Sequence, residues 1–369
     1  MARQSSQKQE PKIMNTIWQD LRQRDFRKNL RRDLTDLKDF FLDDERRLRL
    51  SKMHRIKRGL LMSWWLLKSL FFHLTPARRI LFLISLFLLV NSRQIIIIGH
   101  NVRTNTDFTM LGALLLLFIL MLELKDKLIA RSELSEGRAI QNALMPDVSP
   151  LIKGWDVWLF SQPANDVGGD LVDYQRLSSR NYGLALADVS GKGLGAALFM
   201  VKLQATIRAI APECKTLDAF AHKLNSIFYR DTISSKFASM VYIRLNTTSA
   251  KIQLINAGHF PPLQVKGGLV TELAKGDPAL GLSAKSSYHV ITLDFNEIDI
   301  LLVYSDGLIE ARNLAGEFFG EQRLIRLLKQ YPDISSKLLG ERILAAVAQF
   351  VGEAKTTDDL SMIIIRRSG

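Results

Sequence analysis

The chain has little of the chemistry that staples a small protein or loads it with a soft metal. Among 369 residues there is one cysteine, Cys214, and there are six histidines. A single cysteine excludes an intramolecular disulfide framework and a cysteine-cluster zinc site, and it fits a reducing setting for the folded part. The histidines are scattered and form no H-E-x-x-H pattern. Any metal is therefore held mainly by oxygen. A composition of disorder is absent too: 47% hydrophobic and 24% charged residues describe a folded chain of roughly two domains with some extra apolar sequence.

Excess charge is missing from most of the chain. The formal net charge is +13, yet before residue 80 twenty Lys and Arg stand against nine Asp and Glu, which leaves the C-terminal two-thirds nearly neutral. The arginines of RDFRKNLRRDL and DDERRLRLSKMHRIKR alternate with aspartates and apolar residues, and no nucleic-acid reading motif accompanies them. No nucleic-acid partner is expected. With apolar sequence following, residues 1–78 read as a basic, mostly helical cytoplasmic arm that faces membrane lipids.

Long apolar runs are confined to residues 59–124. The stretch 59–75 carries Lys68 and His73 and suits an interfacial helix, with a spanning helix as the alternative. ILFLISLFLLVNSRQIIIIG (80–99) and FTMLGALLLLFILMLEL (108–124) are near the length of a bilayer crossing and predict a transmembrane hairpin over 79–124. A buried helical hairpin is the competing reading. Basic sequence on both flanks places them in the cytoplasm, giving a multi-pass protein of the inner or plasma membrane with a cytoplasmic C-terminal domain. Charged, proline-free sequence over 125–146 predicts a signalling or linker helix without a strict heptad, so a homodimer through it stays open. Pro146 and Pro150 end it, and the folded domain occupies 147–369.

In that domain the pattern turns to strands, and aspartates gather at their ends. DLVDYQRL and YGLALADV form a hairpin about the turn SSRN, which brings Asp170 and Asp188 within about one residue of facing each other. Two carboxylates so placed repel unless a cation lies between them. IDILLVYSDGLIE empties a buried strand into Asp306, and TTDDLSMIII puts Asp358 and Asp359 just before the last one. Gly169, Gly191 and Gly307 stand beside three of these sites, where small residues let backbone approach an ion or a phosphate. Oxygen-only ligands suit hard divalent ions, and a pair of them can acidify a water and clamp phosphoryl oxygens without a nucleophilic side chain.

PANDVGGDLVDY, LADVSGKGLGAALFM, INAGHFPPL, VYSDGLIEARN with GEFFG, and TTDDLSMIII resemble, in that order, the motifs of PPM-type (type 2C-like) serine/threonine protein phosphatases. The likeness is to the bacterial branch of the stage II sporulation protein E (SpoIIE) phosphatase and the sigma-factor-regulating phosphatases, and it covers about residues 140–367. It implies an α+β fold, a four-layer α-β-β-α sandwich of two antiparallel sheets, here preceded by the helical membrane region. It implies two Mn or Mg ions held by Asp170, Asp188, Asp306, Asp358 and the Val189 carbonyl, with Asp188 and Asp306 as catalytic residues. Gly169, Gly191, Gly307 and Asp359 support the site. By the same resemblance the substrate is a phosphorylated, anti-anti-sigma-like regulatory protein, and the linker helix is a switch that acts on the metal site.

Several residues keep two readings. Where animal-type members carry histidine, this chain has Ser190, a poor acid, which leaves the proton donor to the leaving group open. Lys192 greets phosphate or is a solvated turn residue. His259 touches substrate or holds a turn. Met200, Leu203, Ile207 and Ile210 lie on one helical stripe and read as core. The competing function is a catalytically weak pseudo-phosphatase or a membrane scaffold that binds partners.

Overall fold

The computed structural model of the chain describes residues 53–90, 108–146, 148–231, 236–297, 299–331, 333–356 and 358–368. The basic arm up to residue 52, the end of the first predicted span and the HNVRTNTD loop lie outside the described residues. The chain divides into two compact units, one ending at Lys127 and the other beginning at Leu128.

The first unit holds α1 (Arg55–His73), α2 (Pro76–Val90) and the start of α3 (Thr109–Leu144). Pro76 opens α2, where its missing N–H costs no helical hydrogen bond. Gly112 lets α3 approach Ser85 and Leu89 of α2 closely, and Arg78 reaches Glu123 Oε1 and Asp126 Oδ2, each at 2.6 Å. The transmembrane hairpin expected over 79–124 is not found among the described residues, which leave out 91–107. Helix α2 is described as far as Val90. In α3 the uncharged stretch stops at Leu122, before Glu123, Lys125, Asp126 and Lys127. Among the described residues no helix is long and apolar enough to cross a membrane. The buried-hairpin alternative fares no better, since Ile80, Phe87, Met110 and Leu120 are exposed.

In the second unit ten strands among the described residues form two antiparallel sheets. One has the order β1 (Trp155–Gln162), β10 (Leu360–Arg367), β9 (Ile300–Tyr304), β6 (Leu263–Lys266), β7 (Leu269–Glu272). The other runs β2 (Asp170–Arg176), β3 (Asn181–Val189), β4 (Ala238–Asn246), β5 (Lys251–Ala257), β8 (Ile291–Asp294). Period-two alternation decides what each face meets. Leu184, Leu186, Val241 and Ile243 point between the sheets, where they join Leu301, Val303, Ile363 and Ile365. Ala185, Ala187 and Met240 point the other way, onto α4 (Leu194–Ile210) and α5 (Leu217–Asp231). Leu302, Met362 and Ile364 likewise meet α7 (Glu321–Gln330) and α8 (Ser336–Val351). These layers make the expected α-β-β-α sandwich, and the helical stripe of Met200, Leu203, Ile207 and Ile210 is core.

Candidate metal centre

Asp170 opens β2, Asp188 is the last residue but one of β3, and the two are direct cross-strand partners. From the other sheet, β9 ends at Tyr304 and Asp306 begins the one-turn helix α6 (Asp306–Ile309). Asp358 lies two residues before β10, which pairs with β9. The hairpin β2–β3 and the pair β9–β10 therefore deliver the predicted ligands from both sheets to one rim, where the Asp188 carboxylate feels Asp306, Asp358 and Asp359.

Asp359 fastens this rim together. Its buried carboxylate accepts hydrogen bonds from the amides of Ala164 (2.8 Å) and Gly169 (2.7 Å), and a longer one from Asp170 (3.4 Å). That ties the start of β10 to the loop that presents Asp170. Glycine is needed at Gly307, because a Cβ there would collide with the Asp359 carbonyl. Ser305 Oγ donates to the same carbonyl and accepts from Ser361 N. Asp359, expected to support the site, thus ties the loop that carries Asp170 to the strand end that carries Asp358.

Burial and like charge both act on these carboxyls. Asp170 is pushed well above the ordinary carboxylate range, first by burial and then by Asp188. Asp188 is raised from 3.8 to about 6, by burial and then by Asp306 and Asp358, and Asp306 is raised by burial and Asp358. A carboxyl with a folded pKa above its unfolded one holds its proton more tightly when folded. Its stabilising contribution is full below about pH 4 and disappears as pH rises through about 6, on the order of 3 kcal/mol for Asp188. In EDTA, Asp188→Asn should therefore match the wild type near pH 4 and exceed it by up to that amount near pH 7. Urea unfolding at the two pH values measures this, and a wild type at least as stable as the variant near pH 7 would refute it.

Among the described residues no group of three or more His, Cys, Asp or Glu converges as a ready-made ion cage. The physical reasons lie in the contacts: the ligand carboxylates repel one another, Asp359 is engaged by backbone amides, and Asp358 Oδ2 is paired with Lys192 Nζ at 2.8 Å. The donor set nonetheless fits hard divalent cations. Asp170 Oδ2 is buried without a hydrogen-bond partner, an arrangement that costs free energy unless a cation satisfies it. The Val189 carbonyl lies against Gly169, where a Cβ would crowd it at 3.1 Å.

His259 and Ser190 make structural contacts. His259 is buried, with Nδ1 2.7 Å from Ser239 Oγ and Nε2 3.1 Å from the Tyr304 carbonyl. A carbonyl only accepts, so Nε2 carries the proton and Ser239 donates to Nδ1. Burial lowers the ring to about 4, and His259 stays a neutral strut between β4 and β9. Ser190 Oγ accepts from the Phe237 amide. The residue that the sequence reading missed is Gln141, near the end of α3. Its side chain donates to the Gly168 carbonyl (2.7 Å) and accepts from the Gly168 amide (3.1 Å), two residues before Asp170. A cavity of about 290 Å³ lies against this contact, lined by Gln141, Met145, Phe160 and Asp170. Nothing in RAIQNALMP singles out Gln141 before its partner is seen.

Residues 178–368, just over half of the chain, match the family model of stage II sporulation protein E (SpoIIE). The chain is 27% identical over 274 residues to Protein IcfG of Synechocystis sp., covering 67% of this chain and 43% of that one. It is 25% identical over 245 residues to phosphoserine phosphatase RsbP of Bacillus subtilis, covering 65% and 59%. The chain thus spans less than two-thirds of the length of either relative. The solved SiaA-PP2C domain of Pseudomonas aeruginosa shares the fold, with a TM-score of 0.58 at 21% identity over 66% of this chain and 98% of that domain.

Proposed function

We propose, for a chain that belongs to the SpoIIE family of PP2C-type serine phosphatases, metal-dependent hydrolysis of phosphoserine and phosphothreonine on a small regulatory protein of the anti-anti-sigma kind. The observation that carries this reading is the opposition of Asp170 and Asp188 at the rim that also receives Asp306 and Asp358. With the Val189 carbonyl, these four carboxylates would hold two Mn or Mg ions. Such ions supply an activated water and neutralise charge on the phosphoryl group. The chain's own residues do the rest: Asp359 and the Gly168–Gly169 backbone hold Asp170 in place, and His259 fixes the spacing of β4 and β9. RsbP is named a phosphoserine phosphatase, which agrees with the reading.

The amino-terminal helices fit attachment to a lipid surface. Leu60, Trp64, Ile80, Phe87, Met110 and Leu120 are all more than half exposed, and apolar helix faces of this kind lie in the interface of a bilayer without crossing it. One experiment tests both halves. The full-length chain is floated with vesicles of anionic and zwitterionic lipid, and each fraction is assayed with Mn on a phosphoserine protein. Activity is expected in the floated fraction. Activity confined to the bottom fraction would refute the attachment, and activity in neither would refute the phosphatase.

A further inference from the structure

Lys192 is a poor choice for its position if only helix stability is considered. It precedes Gly193, the N-cap of α4, a 17-residue helix with no acidic residue in its first turn, and a cation near a helix N-terminus is disfavoured by the helix dipole. Its location is nevertheless closely defined. Gly191 and Gly193 on either side have φ of 99° and 74°. The loop before it is bolted to the neighbouring strand: Lys236 Nζ donates to the Ser190 carbonyl (2.8 Å), Ser190 N donates to the Phe237 carbonyl (2.9 Å) and Phe237 N donates to Ser190 Oγ (3.0 Å). From this anchor the Lys192 ammonium crosses to Asp358 Oδ2, across 166 residues of sequence. Lys236 is held on the loop backbone, and Lys192 reaches the acidic rim.

We infer, resting on the metal-dependent reading above, that Lys192 is a tethered cation that occupies the Asp358 side of the rim and must be displaced before a divalent ion takes that carboxylate, so that this side chain sets the metal affinity of the site. Two features support it. The Lys192 side chain is 60% exposed and that of Asp358 37%, so the ammonium can swing into solvent when a stronger cation arrives. A lysine ammonium is charged throughout the neutral range, so it competes for the carboxylate there. A lysine that only grips substrate phosphate would leave metal binding unchanged.

Isothermal titration of Mn into the full-length chain reads this directly, without turnover. Lys192→Met and Lys192→Gln should each bind Mn about threefold to tenfold more tightly than wild type, from a lost ion pair and lost repulsion of the ion. Lys192→Arg should stay within about twofold of wild type, because the charge remains. In an Asp358→Asn background the Lys192→Met change should alter the dissociation constant by less than about twofold, since the two residues act as one unit. Unchanged or weaker Mn binding in both neutral variants would overturn the inference, as would equal tightening with Asp358 removed. A wild type that binds no Mn would instead bring down the phosphatase reading itself.

Discussion

Asp188→Asn and Asp306→Asn should each lower phosphatase turnover by about a thousandfold or more, at the scale expected when a preorganised charge at a reacting centre is removed. Asp188 faces Asp170 across the hairpin and stands within electrostatic reach of Asp306 and Asp358. It is the carboxylate most widely shared, and losing its charge strips the rim of the group that links the two sheets' contributions. The fold survives, because the asparagine is nearly isosteric and relieves repulsion that burial has already made costly. Asp359→Asn is expected to cost less, about tenfold to a hundredfold, since Asp359 acts through the amides of Ala164, Gly169 and Asp170. Steady-state rates on a phosphoserine protein, with far-UV circular dichroism on the same samples, check the ranking. Near-wild-type turnover in either of the first two variants would remove the carboxylate rim from the reaction.

The second large effect concerns the helix that leads into the catalytic unit. Helix α3 runs unbroken from Thr109 to Leu144, and its end is held by Gln141 on Gly168 and by Gln204 Nε2 on the Leu144 carbonyl at 2.7 Å. Arg208 Nη2 adds a longer contact to that carbonyl (3.4 Å) while Nε and Nη2 each donate to buried Asp173 at 2.8 Å. The helix end thus touches both the loop that presents Asp170 and the helix that follows the Asp188 motif. One residue inserted after Lys127 turns what lies beyond it by about 100° relative to what precedes it, whereas seven residues return it nearly to phase. If α3 transmits a signal, the single insertion changes turnover of the full-length chain by about tenfold, within the usual range of coupling between sites, and the seven-residue insertion changes it little. Equal turnover in wild type and both insertions would make the helix a passive tether.

The hairpin pairing of Asp170 with Asp188 is legible because a turn residue count fixes antiparallel register, whereas the sandwich enters through the family resemblance, since central strands such as β9, buried on both faces, carry no apolar–polar alternation. The roles of Asp359 and Gln141 are not legible. Both depend on backbone amides 27 to 195 residues away in sequence, and a carboxylate that accepts from backbone looks the same in a sequence as one that binds an ion. Lys192 is visible as a charge, but only the crossing to Asp358 distinguishes it from a solvated turn lysine. Of the apolar runs near 80–99 and 108–124, the first passes outside the described residues after Val90, and in the second the uncharged stretch of α3 stops before Glu123, a break that a count of apolar residues does not register.

The central claim is that the acidic rim works only with a divalent ion. It is tested most directly by following phosphate release from a phosphoserine protein by one preparation of the full-length chain, first with Mn, then in excess EDTA, then with Mn restored. The account predicts release with Mn, a fall of at least about a hundredfold in EDTA, and recovery when Mn returns. Release that continues undiminished in EDTA would contradict it.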